Sequence, residues 1–379
     1  MKISGGWLAN PATQRLCATL SAQGYRALFV GGCVRNALLD APVADVDIST
    51  DALPQTVSVI AENAGFKVIP TGIEHGTVTV VVEGVPHEVT TFRRDVETDG
   101  RRAVVAFSTQ IEEDAMRRDF TMNALYAEAD GTVIDPLGGL PDLLARRLRF
   151  VGDAEARIRE DYLRILRFFR FHAWYGHAEE GIDPEGLAAC AALSAGIETL
   201  SSERIGAEMR KLLAAPDPGP SLAAMAQAGI LARVLPGADA RAIPVLVHLE
   251  AGRPPHWLRR LAVLGGEDPT DLWRLSRAES RDFGHIRDAL HEEHSAAVLG
   301  WKLKELAQHA ILARAALIGV PPPEGWETEV ARGQAAVFPV KPADLMPALQ
   351  GAALGARLKA LEGAWLHSNL CATRENLLG

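Results

Sequence analysis

Asp45 and Asp47 flank a single valine in Asp45-Val46-Asp47-Ile48, and in an extended strand residues two apart project to the same side. Two carboxylates so placed repel each other and call for a cation; hard oxygen ligands of this kind suit Mg²⁺. Such pairs hold two metals about 4 Å apart, one activating an attacking oxygen and one stabilising a leaving phosphate. The plainer reading is an exposed strand face with Val46 and Ile48 turned to the core. Ahead of the pair lies Gly31-Gly32, where backbone N–H groups can approach phosphate oxygens with no Cβ in the way, and Arg35 comes one turn later. An ordinary βα turn looks the same, since neither Rossmann nor Walker spacing is present. Glu88 is either a third carboxylate from a neighbouring strand or a solvent-facing side chain.

Arginines supply the second constellation. Asp161, Arg164, Arg167 and Arg170 succeed one another at intervals of three within 153–175, among Leu163, Ile165, Leu166, Phe168, Phe169 and Phe171. On one helix that spacing places them on adjoining parts of a face, and guanidinium groups amid so much apolar surface need an anion or a base edge to receive them. The competing reading is the polar face of an amphipathic helix. Arg117-Arg118, at the expected start of another helix, suit a triphosphate or a surface ion-pair cluster with Asp114 and Asp119. His291 and His294 are three apart, not the four of a zinc-protease helix, and the four cysteines form no CxxC pair, so neither zinc nor thiol chemistry is indicated.

The elements that must carry these residues alternate at first. Leu28-Phe29-Val30 reads as a strand, 32–39 as a helix, and 77–82 with 85–92 as a hairpin turning at Glu83-Gly84. From Leu140 onward strand patterns vanish and helical periodicity dominates, interrupted by Pro/Gly-rich segments at 216–220, 321–323 and 339–342. The 379 residues, 48% hydrophobic, suffice for two or three domains with real cores. No apolar run reaches the length of a membrane helix and the N-terminus has no basic, apolar leader, so the expected location is cytoplasmic. A net charge of −9 argues against indiscriminate binding of nucleic acid through a broad positive surface and leaves room for a local basic groove.

Taken in order, Gly31-Gly32-Cys33-Val34-Arg35 with Asp45-Val46-Asp47, RRDFTMNA from Arg117, DPLGGLPDL from Asp135, EDYLRILRFFRF from Glu160 and SSERIGAEMRKLL from Ser201 resemble the class II tRNA nucleotidyltransferase and bacterial poly(A) polymerase family. That resemblance implies an α+β head with a polymerase-β-like nucleotidyltransferase sheet over 1–139, a helical neck over 140–215 with the base-reading helix, and an all-α body and tail over 216–379 that bind tRNA. It makes Asp45 and Asp47 the catalytic Mg²⁺ ligands of a two-metal site, and Gly32, Arg35 and Arg118 contacts to the incoming nucleotide. Asp161 and Arg164 would read the base, an acceptor and a donor that can satisfy cytosine or adenine without a template. Arg167 and Arg170 would contact nucleotide or hold the reading pair, with Glu203 and Arg204 as braces. Asn36 stands where the family usually has Asp, and Asp40 where it usually has Gly, which bears on the phosphate turn.

Within the family the choice is between completing the tRNA 3′ CCA end from CTP and ATP, adding only part of it, and making poly(A). The stretch 71–77, Thr-Gly-Ile-Glu-His-Gly-Thr, is similar to the CCA-type sequence, and a basic element typical of bacterial poly(A) polymerases is missing there. From Pro216 onward 17 basic residues face 18 acidic ones, unlike an RNA-gripping tail. The charge-dense 93–102 reads as a mobile loop of the kind thought to be missing from enzymes that stop after CC. A non-catalytic RNA-binding relative is the alternative outside the enzyme class, against which the intact aspartate pair speaks. The expected partners are tRNA, CTP and ATP, with no membrane and no obligate protein partner.

Overall fold

The computed structural model describes residues 1–70, 72–99, 102–177 and 181–379, with 95–99 and 102–105 described through their backbone. They form two compact units: Met1–Ser201 with Gln227–Arg233, and Ser202–Ala226 with Val234–Gly379.

The first unit carries the described strands. In chain order it has α1 (Pro11–Ala22), β1 (Leu28–Val30), α2 (Gly32–Leu38), β2 (Asp47–Thr50), α3 (Pro54–Asn63), β3 (Lys67–Ile69), β4 (Thr77–Val82) and β5 (Val85–Thr91). Then come β6 (Arg93–Asp99), β7 (Arg102–Phe107), α4 (Ile111–Met116), β8 (Tyr126–Ala127), β9 (Val133–Ile134), α5 (Leu140–Leu144), α6 (Ala154–Glu160), α7 (Leu163–Tyr175) and α8 (Pro184–Ala192). Seven strands make one mixed sheet in the order β3-β4-β5-β2-β1-β8-β9. The hairpin legible in the sequence is β4–β5, and Glu83 and Gly84 both take positive φ to turn it. β2 lies parallel to β5 with Asp47 opposite Glu88. The alternation along β4, with Val78, Val80 and Val82 buried, points one sheet face at α1 and α3 and leaves the threonines on the other.

One expectation is overturned here. The segment 93–102 is no loop: its described residues are the first strand, and the start of the second, of a separate two-stranded antiparallel sheet, with a register shift between Asp95 and Glu97. Gly100 and Arg101 at its turn, like Thr71 of the 71–77 stretch, lie outside the described residues. Charge density concealed the pattern: across 93–102 only Val96 and Thr98 are residues that favour a strand.

The regular elements of the second unit, among its described residues, are all helices. Its helices include α9 (Ser202–Leu213), α10 (Ile243–Glu250), α11 (Trp257–Leu264) and α12 (Ala307–Ile318). Its centre is ionic as well as apolar: Glu250 receives both Arg259 and Arg260 at 2.6 Å, all three buried, and Arg260 also donates to the main-chain carbonyls of Leu213, Ala215 and Pro216. The Pro-rich break at 216–220 is therefore pinned at its start. No helix among the described residues is long and apolar enough to cross a membrane.

Candidate nucleotide and metal site

The turn after β1 is built on one glycine. Gly31 has φ 69° and ψ −117°, a conformation closed to side chains, and a Cβ there would stand 3.3 Å from Arg118 Nη1. Gly32 opens α2 with ordinary φ, and a Cβ on it would meet Arg35 Nη2 at 3.8 Å. Each glycine thus has a guanidinium against it. Cys33, the next residue of α2, is buried, which pushes its thiol up to about 11 and keeps it inert.

Asp47 begins β2, while Asp45 lies two residues before it, outside the strand; both are exposed. The expectation of one shared strand thus holds for Asp47 alone. Although open to solvent by area, Asp47 stands close enough to packed protein to be partly desolvated. Burial first, then Glu88 and Asp45, hold its carboxyl above the usual range, with Arg118 offsetting part of the effect. This crowding is what a cation would relieve, and the two hard carboxylates of Asp45 and Asp47 would suit a divalent one. Among the described residues no three His, Cys, Asp or Glu side chains gather closely enough to form a metal cage by themselves. A cleft of about 640 Å³ opens beside the pair, with Trp7, Asn10, Thr79 and Glu88 on its walls.

Arg117 and Arg118 sit just past the C-terminal end of α4 rather than at the start of a helix. The dipole argument favours cations there, and the chain then runs into a short 3₁₀ turn, Thr121–Asn123. The two arginines are not a surface cluster either. Both bond Asp114, which is fully buried: burial pushes its carboxyl up, but Arg118, Arg117 and the Tyr126 hydroxyl outweigh it and hold it down at about 2. Arg118 also donates to Tyr126 from Nε, which leaves Nη1 turned to Gly31. Asp119 takes Arg167 instead, at 2.8 Å from Nε.

The expected single helix over 153–175 is broken. α6 ends at Glu160, Asp161 is extended at φ −157°, and α7 starts at Leu163, whose N–H bonds Asp161 Oδ1 at 3.1 Å. Asp161 is therefore a hinge residue ahead of the arginines, not a member of their helical row. Arg164 bonds Glu160 and the carbonyl of Arg157, both across that break. Arg170 lies over Phe171 at 4.3 Å, and its charge reaches Arg35. The apolar residues between them do the holding: Phe168 stacks on Phe150 at 5.4 Å, and Phe120 of the RRDF sequence packs on Phe150 and Phe171.

Sequence reasoning missed Arg157. Its side chain is buried, its Nη1 bonds Glu160, and its Nη2 bonds the main-chain carbonyls of Arg117 and Arg118. With Arg164 it clasps the α6–α7 break to the end of α4. The spacing of Arg157, Glu160 and Arg164, three and four apart, was the available signal. The Asp135 sequence proves to be a bracket: Asp135 accepts the N–H groups of Gly139 and Leu140, Asp142 accepts Thr121, and a Cβ on Gly139 would stand 2.3 Å from the Thr121 carbonyl. Glu203, assigned as a brace, pairs with Arg274 inside the second unit.

Residues 27–149 match the poly A polymerase head domain family, and 181–241 match a family described as the probable RNA and SrmB-binding site of polymerase A. The chain is 40% identical over 314 residues to the CCA-adding enzyme of Geobacillus thermodenitrificans, covering 82% of this chain and 71% of that one. The crystal structure of the Bacillus stearothermophilus CCA-adding enzyme in complex with CTP superposes with a TM-score of 0.76 at 32% identity, over 94% of this chain and 92% of its own. The Thermotoga maritima CCA-adding enzyme complexed with tRNA shares the fold, with a TM-score of 0.71 at 19% identity over 99% and 95% of the two chains.

Proposed function

Since the chain belongs to the family of CCA-adding enzymes, template-independent nucleotidyltransferases of tRNA, we propose that it adds C, C and A to the 3′ end of tRNA from CTP and ATP, releasing pyrophosphate, through the site around Asp45 and Asp47. The observation that carries this reading is the convergence, in one unit, of an exposed carboxylate pair with two guanidinium groups lying against consecutive glycines. Asp45 and Asp47 would hold Mg²⁺, which supplies activation of the tRNA 3′ hydroxyl and neutralisation of the departing pyrophosphate. The chain's own groups do the rest. Gly31 and Gly32 let phosphate oxygens approach the backbone, Arg118 and Arg35 stand behind them, and Arg167 and Arg170 steady the reading helix. Asp161, at the hinge, offers the base an acceptor and Arg164 a donor.

CCA completion is favoured over a poly(A) product by charge. Gripping a growing strand of no fixed shape relies on phosphate neutralisation, which a near-balanced C-terminal half does not supply; a folded tRNA can be recognised by shape and a few placed contacts. Incubated with CTP and ATP, tRNA lacking CCA should gain three nucleotides and stop, while ATP alone should extend only tRNA already ending in CC. Long A tails on unrelated RNA, made as readily, would overturn the assignment.

A further inference from the structure

The cleft beside Asp45 and Asp47 has a wall to which no part in the reaction has been given. β5 begins three residues ahead of its first β2 partner, so Val85, Pro86 and His87 pair with β4 alone and leave a notch next to the start of β2. His87 lines it, buried, and shares a 2.9 Å hydrogen bond with Thr13 of α1. Trp7 lines it too. That side chain is half-buried, its ring edge-on to the buried Phe29 of β1 with centroids 5.1 Å apart and planes at 86°. The chain is tied down on both sides of it: Ile3 donates to the Gly131 carbonyl at 2.9 Å, Gln14 Nε2 donates to the Leu8 carbonyl at 2.8 Å, and Asn10 caps α1 by accepting the Ala12 N–H.

The chemistry of the cleft selects its ligand. Its volume is about 640 Å³, and no lysine or arginine is among the residues that line it. Burial outweighs the nearby backbone of Val80 and Val85 and holds the His87 ring below its usual pKa, so it is neutral. A triphosphate there would meet Asp45, Asp47 and Glu88 with no cation to offset them. The uncharged part of a nucleotide, base and sugar, suits an aromatic wall among neutral polar groups. Position selects whose base it is. In the sheet, β2 lies between β5, beside the cleft, and β1, which ends at the glycine turn. With the incoming triphosphate at that turn, the attacking oxygen of an in-line displacement arrives from the other side of the carboxylates, where the cleft is. The head-domain match begins at residue 27, so Trp7 and Thr13 lie ahead of it.

We propose that the cleft receives the 3′-terminal nucleotide of the RNA being extended, and that Trp7 stacks on its base and thereby sets the 3′ hydroxyl against Asp45 and Asp47. The inference rests on the reading of the site given above and deepens it by placing the acceptor end. The residue at that end changes as the chain grows. A stacking wall tolerates the change, because every base has a face, whereas hydrogen-bonded readout of one base edge would not.

The test is a cycle between protein and substrate. The full-length parent and Trp7→Leu, which keeps an apolar group on Phe29, are each given tRNA ending in CC, or the same tRNA with an abasic last residue, and addition of A is followed at steady state. Trp7→Leu should raise the KM for intact tRNA about tenfold, while ATP affinity, titrated calorimetrically without RNA and with Ca²⁺ as the metal, stays within about twofold. The abasic end should raise the parent's KM likewise, and the two changes together should cost little more than the larger of them, since both remove one contact. Trp7→Phe keeps a stacking face and should remain within about threefold of the parent. An abasic end that the parent extends as well as an intact one overturns the proposal, whether or not any variant folds. Additive losses overturn it as well, as does an equal loss of ATP affinity. In those cases intact tRNA still gains its A and the reading of the site stands; a parent that extends no tRNA overturns both.

Discussion

Asp45 and Asp47 lie at the start of β2, an interior strand, where the charges of Glu88 and Asp45 both act on Asp47, and the energetic consequence can be measured. A divalent cation should raise the Tm of the chain, because it removes repulsion among Asp47, Glu88 and Asp45 that the folded state otherwise bears. Asp47→Asn should lessen that rise and cut nucleotide incorporation by about a hundredfold or more, while tRNA binding survives. Retained turnover, or an undiminished cation effect, would remove Asp47 from the metal site. Asp161→Ala should relax selection against UTP and GTP more than it weakens triphosphate binding, since the phosphates are held at the glycine turn. An unaltered nucleotide choice would reduce Asp161 to its bond with Leu163. The residues that were legible in advance were those whose chemistry is local: paired carboxylates two apart, paired glycines, arginines at a fixed interval. Asn123 and Tyr175 were not, because each acts on Arg35 from 88 and 140 residues away, and nothing in a hydrophobic pattern announces a buried polar partner.

At the scale of elements, the decisive feature is the clasp that closes the α6–α7 break over the end of α4. Arg157 reaches two backbone carbonyls, so its hold does not depend on which side chains occupy positions 117 and 118. Arg157→Ala strands Glu160 beside one remaining guanidinium and takes a donor from each of those carbonyls. It should lower unfolding free energy by about 3 kcal/mol in a denaturant melt. A change below about 1 kcal/mol would show that aromatic packing of Phe120, Phe150 and Phe168 holds the break by itself. The β6–β7 ribbon gives a second element-scale expectation. Excising 95–105 should leave addition of the two C residues and abolish the terminal A, on the reading that this charge-dense ribbon re-aims Asp161 and Arg164 at the last step; equal loss of all steps in a product-length assay would argue against it. Strands with one buried face were legible, as β4 and β5 show. A helix break at Asp161 was not, since Glu160-Asp161-Tyr162 contains neither proline nor glycine and the interval of three runs from Asp161 straight into Arg164, Arg167 and Arg170.

For the molecule as a whole, the first unit carries the candidate chemistry and the second unit carries its own ionic centre. His256 and His309 stack there with ring centroids 3.9 Å apart, and Arg259 bonds His309. Burial, then His256 and Arg259, push His309 down to about 3. A histidine whose folded-state pKa lies below its unfolded value of about 6.5 supports folding above that value. The support drains away as pH falls from about 6.5 towards 3. Thermal melts should therefore show lost stability across that window, and His309→Gln should flatten the profile. A slope unchanged by that substitution would place the acid sensitivity elsewhere.

The ribbon leaves the main sheet after Phe92 and ends at Ser108, ahead of α4, and a bond from the Ser108 N–H to the Phe92 carbonyl, 2.8 Å long, closes its neck. A segment inserted through so narrow a gate can lengthen, shorten or be exchanged without disturbing the register of the seven strands it leaves behind. That makes it a natural part to transplant between relatives when their behaviour at the last nucleotide differs.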